Sequence, residues 1–253
     1  MQKLDFFEGI KQTNVRLGHY NFNSPIFYRD MTGIDVYILA PLNKVKSILP
    51  SSRMAPFRVT PWHSVISISA FEYRDSDIGP YNEVSIGIPF VLDKISPLFT
   101  GILRKPPEIP MVYIHHLPVT TEIARLTGVE GANFPKFLAE ISFDRSDEWI
   151  SCNVNAEGKN ILTLSCRKIK LRPFHRQNIY AITHSKNRLL RLEFNLSECD
   201  AGISKNQSDI RLELGNHQIG LELKELNLGR ILTCQYNPEC QALLTPICES
   251  YAI

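Results

Sequence analysis

The chain has no uninterrupted apolar run long enough to span a bilayer, for which about 20 residues are needed. Asp5 and Glu8 interrupt the N-terminus before an apolar stretch develops, which excludes the pattern of a secretory signal. Neither sign of charge is in excess: 28 Lys and Arg face 26 Asp and Glu, a net charge of +2. That balance argues neither for nucleic acid nor for an anionic membrane as partner. Lys168, Lys170 and Arg172 alternate with Ile169 and Leu171, yet few aromatics interleave with them, so they read as a solvated strand face. Cysteine is sparse. Cys152, Cys166, Cys199, Cys234, Cys240 and Cys248 contain no Cys-x-x-Cys pair and are expected to be reduced, mostly buried thiols of a cytoplasmic protein. Cys234 and Cys240 flank an Asn-Pro turn, and no histidine lies close in sequence to complete a metal set. Internal repeats, low-complexity tracts and linkers are also missing, so residues 1–253 are expected to form a single domain.

What is present is mostly strand pattern. Trp149 to Val154 and Ile161 to Cys166 flank Glu157-Gly158, and Ile179 to Thr183 and Leu189 to Phe194 flank Ser185-Lys186-Asn187. Ile210, Leu212 and Leu214 alternate with charged residues before Gly215-Asn216, and Ile219, Leu221 and Leu223 continue the alternation. Three successive hairpins predict a sheet that closes or stacks, not alternating βαβ units. Further strands are expected at Asp35 to Leu39, Val65 to Phe71, Val84 to Phe90, Met111 to His115 and Phe137 to Phe143. Leu42 to Leu49 predicts one short helix. A second starts at Thr120 or Thr121, whose hydroxyl can cap it, with Glu122 placed against the helix dipole and Gly128 as its stop. The stretch from Phe90 to Pro110 differs. Its apolar residues sit at roughly helical spacing while Pro97, Pro106, Pro107 and Pro110 prevent one long helix, which predicts an apolar, Pro-rich excursion from the sheet.

Several side chains could carry chemistry. Pro135, Phe137, Ala139, Ile141 and Phe143 form one apolar face, and Lys136 shares the other with Leu138, Glu140 and Ser142. By pattern alone this is a lysine on the solvated side of a strand; if that face lined an interior, lysine and glutamate would be a reactive pair. A lysine is a good nucleophile only when neutral, a form that burial or a nearby cation favours. Glu83 lies with Ser85 and Gly87 opposite Val84, Ile86 and Ile88, as an exposed strand-end glutamate would. His115 and His116 are neighbours on a strand and are expected to point to opposite faces, which disfavours a shared metal and leaves one of them, His115, a candidate acid or base. Arg125, in the second helix, could grip a carboxylate through a bidentate fork or cover the helix with its stem.

The passage from Leu117 to Ile141 resembles the signature of the acetoacetate decarboxylase-like family, a Gly-Arg-Glu triplet followed by Gly-x-Pro-Lys. Gly128 and Glu130 match the first and third members of the triplet, and Pro135 and Lys136 match the Pro-Lys. Tyr81-Asn82-Glu83 stands where the family carries an active-site glutamate. The departures are Val129 for arginine, Asn133 for glycine and Phe137 for the second lysine of the acetone-forming enzymes. Met31 falls nearest that group's other arginine, and Ile68 or Ser69 nearest its second acid. The resemblance implies a mostly β fold, an antiparallel closed barrel or cone with a few short helices. It further implies a lyase that decarboxylates a small β-keto acid through a Schiff base on Lys136, with Glu83 carrying protons or orienting substrate. Glu130, Arg125, His115 and Phe137 are the supporting candidates. An aldolase-dehydratase using the same lysine and a non-catalytic barrel for small hydrophobic ligands are the alternatives. No metal or organic cofactor is implied, since the imine supplies the electrophile. A small keto acid is the expected partner, with no nucleic acid and no membrane, in a homo-oligomer.

Overall fold

The computed structural model describes residues 6–94, 111–175 and 177–253. Strands β1 (Thr13–Leu17) and β2 (Tyr20–Ser24) form a hairpin before β3 (Ile26–Pro41), which runs into helix α1 (Leu42–Ser47). Then come β4 (Met54–Pro56), β5 (His63–Ser76) and β6 (Tyr81–Leu92). β7 (Met111–Val119) leads into α2 (Glu122–Ala132), followed by β8 (Lys136–Leu138) and β9 (Glu140–Arg145). The remainder is β10 (Trp149–Ala156), β11 (Lys159–Arg167), β12 (Arg172–Phe174), β13 (Gln177–Ser185), β14 (Arg188–Leu196), β15 (Cys199–Ser204), β16 (Ile210–Leu214), α3 (Gln218–Glu225), β17 (Ile231–Leu244) and β18 (Glu249–Ala252). The fold is mostly β. Among the described residues, no helix is long and apolar enough to cross a membrane.

Twelve strands share one sheet. Its ladder runs from β17 through β3, β5, β6, β7 and β13 to β14, and β14 pairs again with β17 at Phe194↔Leu244, so the pairings return to their start. A second sheet of four strands, in the order β16, β11, β10, β9, lies against the outside of this ladder. Period-2 alternation explains how both faces are used. Ile34, Val36 and Ile38 of β3, Ile66 and Ile68 of β5, and Val84, Ile86 and Ile88 of β6 are all buried against Ile150, Val154, Leu162 and Leu164 of the smaller sheet. The alternate residues, among them Asp35, Tyr37, Ser67, Ser69, Glu83 and Ser85, therefore point to the other side, where they border an internal cavity. At these alternate positions the polar residues border the cavity and not the solvent.

The β10–β11 and β13–β14 hairpins match the sequence pattern. The third expected hairpin does not form, because Gln218–Glu225 is a helix. Ile219 and Leu223 are buried, together with Leu226, and Leu221 is exposed, which is helical spacing where an alternation was read. Gly215 is no hairpin turn; a Cβ there would lie 1.9 Å from the Asn160 carbonyl oxygen, and His217 Nδ1 then caps α3 by accepting from the Ile219 N–H at 3.2 Å. The segment expected as one strand from Phe137 is two, β8 and β9, divided at Ala139, whose N–H donates to the Val119 carbonyl. The pairing is not wholly antiparallel either: β7 runs parallel to β8 and to β13. A parallel pair needs a crossover, which α2 supplies between β7 and β8. Lys168 to Leu171 stand outside any strand, and β12 begins only at Arg172. Of the expected apolar excursion, Phe90, Val91 and Leu92 belong to β6, and residues 95–110 lie outside the described residues.

Candidate active site

The β7–α2–β8 crossover sets the position of Lys136. Thr121 caps α2, its hydroxyl accepting from the Ala124 N–H at 3.4 Å. The helix runs through Gly128, expected as its stop, and ends at Asn133, whose φ of 54° is left-handed. The Asn133 N–H reaches the Val129 carbonyl at 3.1 Å, and the Phe134 N–H reaches that of Gly128 at 2.9 Å. The chain then turns back so that Lys136 registers beside Leu117 of β7. Gly128 is needed inside the helix because Lys136 lies on it. A Cβ at residue 128 would stand 2.3 Å from Lys136 Cδ and 2.6 Å from Cε.

Lys136 is buried, its side chain only 4% exposed. Its Nζ lies 2.7 Å from Glu83 Oε2, and the Glu83 side chain is 10% exposed. The pair meets by charge without the alignment of a hydrogen bond, and Oε2 has no other protein partner. Tyr73 donates to the opposite oxygen, Glu83 Oε1, at 3.3 Å, and the Tyr28 and Tyr81 hydroxyls meet at 3.1 Å. Burial, followed by the charge of Glu83, raises the Tyr73 and Tyr81 phenols well above their ordinary range, so these rings stay neutral donors. The rings of Tyr81 and Phe134 lie 5.5 and 5.9 Å from Nζ.

Lys136 and Glu83 border a cavity of ≈ 90 Å³. One part of its wall is polar, formed by Asp35, Ser67, Ser69, Ser85 and Gln235, and the rest is apolar, with Val112, Ile114, Leu117 and Ile179 among its members. A second cavity of ≈ 160 Å³, bordered by Val15, Leu17 and Phe22 of the β1–β2 hairpin, by Gly128 and Ala132 of α2 and by Leu192 and Leu244, also touches Lys136. Asp35 was not singled out from sequence. It borders cavity space instead of bulk water, and burial pushes its carboxyl up to about 6, against the opposing pull of a hydrogen bond with Ser69. Asp35 is also the register partner of Ser69 across β3 and β5. A cavity acid thus stands opposite one of the two positions where the sequence resemblance found none. The available signal was a lone acid alternating with Ile34, Val36 and Ile38 on a strand buried on both faces.

The other candidates stand elsewhere. Glu130 is exposed on α2, in a helix and not in a turn bracing the lysine. Arg125 is paired with Glu122 through Nε at 2.8 Å and Nη2 at 2.6 Å, and borders neither cavity. Phe137 packs against the core between the two sheets. His115 also lies away from the cavity. The ladder between β6 and β7 shifts register there, with Ile86 opposite His116 and Gly87 opposite Ile114, so one extra residue bulges from β7. Ile114 and Leu117, three residues apart, both face the cavity, while His115 and His116 both reach Glu222 of α3, at 2.5 and 2.8 Å. The expectation of opposite faces fails because the bulge resets the alternation.

The buried lysine–glutamate pair thus sits where the strands of the large sheet return on themselves, presented by a βαβ crossover. The sequence matches the acetoacetate decarboxylase (ADC) family over residues 15–236, and the chain belongs to that family. No curated protein matches its sequence significantly. Among solved structures, an acetoacetate decarboxylase from Legionella pneumophila subsp. pneumophila str. Philadelphia 1 is similar at a TM-score of 0.66 and 14% identity, with 90% of this chain and 87% of that one covered. The enduracididine biosynthesis enzyme MppR, complexed with the condensation product of pyruvate and imidazole 4-carboxaldehyde, is similar at a TM-score of 0.57 and 11% identity, covering 90% and 89%. An acetoacetate decarboxylase-like enzyme from Sphingomonas wittichii RW1 gives 0.52 and 10%, covering 88% and 92%. At these identities the likeness is one of fold.

Proposed function

We propose that this protein is a Schiff-base lyase that decarboxylates a small β-keto acid on Lys136. The observation that carries this reading is the buried amine of Lys136, 2.7 Å from Glu83, at the wall of a cavity. Glu83 is near enough to take the ammonium proton and leave a neutral nucleophile. The amine adds to the ketone carbon, and loss of water gives an iminium ion. The bond to the carboxylate carbon then breaks; carbon dioxide departs, and the bonding pair flows into the iminium to form an enamine. A carboxylic acid protonates the enamine carbon, and water hydrolyses the new imine to the ketone and free lysine. Asp35, which holds its proton up to about pH 6, and Glu83 are the acids bordering this cavity. The whole chain is proposed to work as one such unit, as a cytoplasmic homo-oligomer enclosing its cavity in a barrel or cone.

The same iminium and enamine serve aldol condensation and dehydration. That reading is favoured by the similar MppR structure, which holds a condensation product of pyruvate, and by Phe137 standing beside Lys136 where the family resemblance implies a second lysine for acetone formation. Borohydride trapping with a panel of β-keto and α-keto acids, read by intact mass and peptide mapping, tests both. An adduct on Lys136 that is absent from Lys136→Ala is expected, and carbon dioxide release sorts decarboxylase from aldolase. A folded protein with no adduct across the panel would overturn the enzymatic reading in favour of a ligand-binding barrel.

A further inference from the structure

The bulge in β7 builds a second chemical cluster on the outer face of the large sheet. His115 and His116 are sequence neighbours, yet both present Nε2 to the one carboxylate of Glu222, at 2.5 Å to Oε1 and 2.8 Å to Oε2. One ligand atom from each residue lies within 4.8 Å of the others, and this is the single such group of three among the described residues. Their side chains are 17%, 21% and 32% exposed, sheltered but open to a solute. We propose that His115, His116 and Glu222 bind a divalent first-row transition ion of the zinc type. Two imidazoles select against magnesium and calcium, which prefer all-oxygen sets. Two nitrogens and one carboxylate oxygen are a common three-ligand set for zinc, leaving the fourth tetrahedral position for water.

The geometry requires little movement. In a tetrahedral zinc site with bonds of about 2.0–2.1 Å the ligand atoms stand about 3.3 Å apart. The ion would enter between the imidazoles and the carboxylate, replacing two hydrogen bonds with three coordinate bonds. The consequence is mechanical. Glu222 belongs to α3, at the edge of the four-stranded sheet, and its neighbour Leu223 is buried in the core between the sheets. The histidines stand just before Leu117, the residue in register with Lys136. A bound ion would therefore tie the smaller sheet to the strand that positions the lysine. The site is separate from the proposed chemistry, since none of its three residues borders either cavity.

The test uses the full chain, stripped with a chelator and then titrated with zinc chloride by calorimetry, with the bound metal counted by mass spectrometry. Cobalt(II) chloride serves as a spectroscopic probe. One equivalent of zinc is expected, with visible d–d bands from cobalt at four-coordinate intensity and a raised melting temperature. Glu222→Gln and His116→Ala should each weaken zinc binding at least tenfold, while His19→Ala, at an exposed histidine, should leave it unchanged. Should Glu222→Gln fail to fold, the cobalt spectrum of the wild type and the His116→Ala variant decide the matter. Absence of stoichiometric binding by the folded wild type would overturn the site. So would binding that survives the double substitution His115→Ala and His116→Ala, and in either case the cluster is a hydrogen-bonded clamp only.

Discussion

Gly128 is the residue whose role is most particular to this site. A Gly to Ala change within a helix ordinarily stabilises by about 1 kcal/mol. Here the added methyl would fall 2.3 Å from Lys136 Cδ and push the amine off Glu83. Gly128→Ala is therefore expected to melt within a few degrees of the wild type while borohydride trapping at Lys136 falls at least tenfold; thermal melts and intact mass check the two halves. Asp35 makes a pH-dependent prediction. Its carboxyl titrates near 3.8 when unfolded and about 6 when folded. Between those values the folded state binds a proton that the unfolded state has lost, so stability falls as pH rises, and above about pH 6 the penalty is complete. Asp35→Asn should stabilise the protein by about 3 kcal/mol at pH 7 and by almost nothing at about pH 3, as urea unfolding at the two pH values would read.

At the scale of elements, α3 and the β7–α2–β8 crossover decide what the pattern alone leaves open. Ile219, Leu221 and Leu223 satisfy an alternating template, and Ile219, Leu223 and Leu226 satisfy a helical one. The close approach of Gly215 to Asn160 and the His217 cap resolve the choice. Leu223 is fully buried between the sheets, and Leu223→Ala should cost about 2–4 kcal/mol in chemical denaturation. If the segment were instead a strand with its apolar face open, the loss would be well under 1 kcal/mol. The crossover was partly legible: a cap at Thr120 or Thr121, of which Thr121 makes it, and Lys136 as a strand residue followed from residue types. Its end at Asn133 did not, because Gly128 offered a more obvious stop and only contact with Lys136 explains its place inside the helix.

For the molecule as a whole, the joint between the two sheets is polar at one edge. Arg145 of β9 and Arg74 of β5 both grip Glu72, with Arg74 at 3.0 Å, and Arg74 also holds Asp30 of β3. Burial works to raise the Glu72 carboxyl, but the two guanidinium groups overcome it and hold it below the ordinary carboxylate range. This stabilisation is present above the unfolded value of 4.5 and is lost as pH falls through the lower folded value, opposite in sign to Asp35. Glu72→Gln should destabilise by roughly 1 kcal/mol near neutral pH, with the difference shrinking in acid, measured by urea unfolding across pH. Farther along the joint, the buried thiols of Cys166 on β11 and Cys234 on β17 meet at 2.7 Å, though 68 residues separate them. Such a contact is invisible to any reading of cysteine spacing.

By itself the sequence determined the β-rich class, parts of β3, β5, β6, β7, β9, β10, β11, β13, β14 and β16, two of the hairpins and the start of α2 at Thr120 or Thr121, while β1, β2, β4, β15, β17 and β18 went unread; the family signature nominated Lys136 and Glu83, which the fold brings together. Those follow from local rules: alternation, turn residues, capping and a family signature spread over a few dozen residues. Only the tertiary structure decided that the polar faces of β3, β5 and β6 look inward, because alternation gives two faces without saying which one meets water. A second sheet covering the apolar face settles that, and with it the burial of Lys136 and the place of Asp35. Likewise only the pairing of β6 with β7 placed His115 and His116 on one side, since a bulge is a property of two strands together and neither carries it alone.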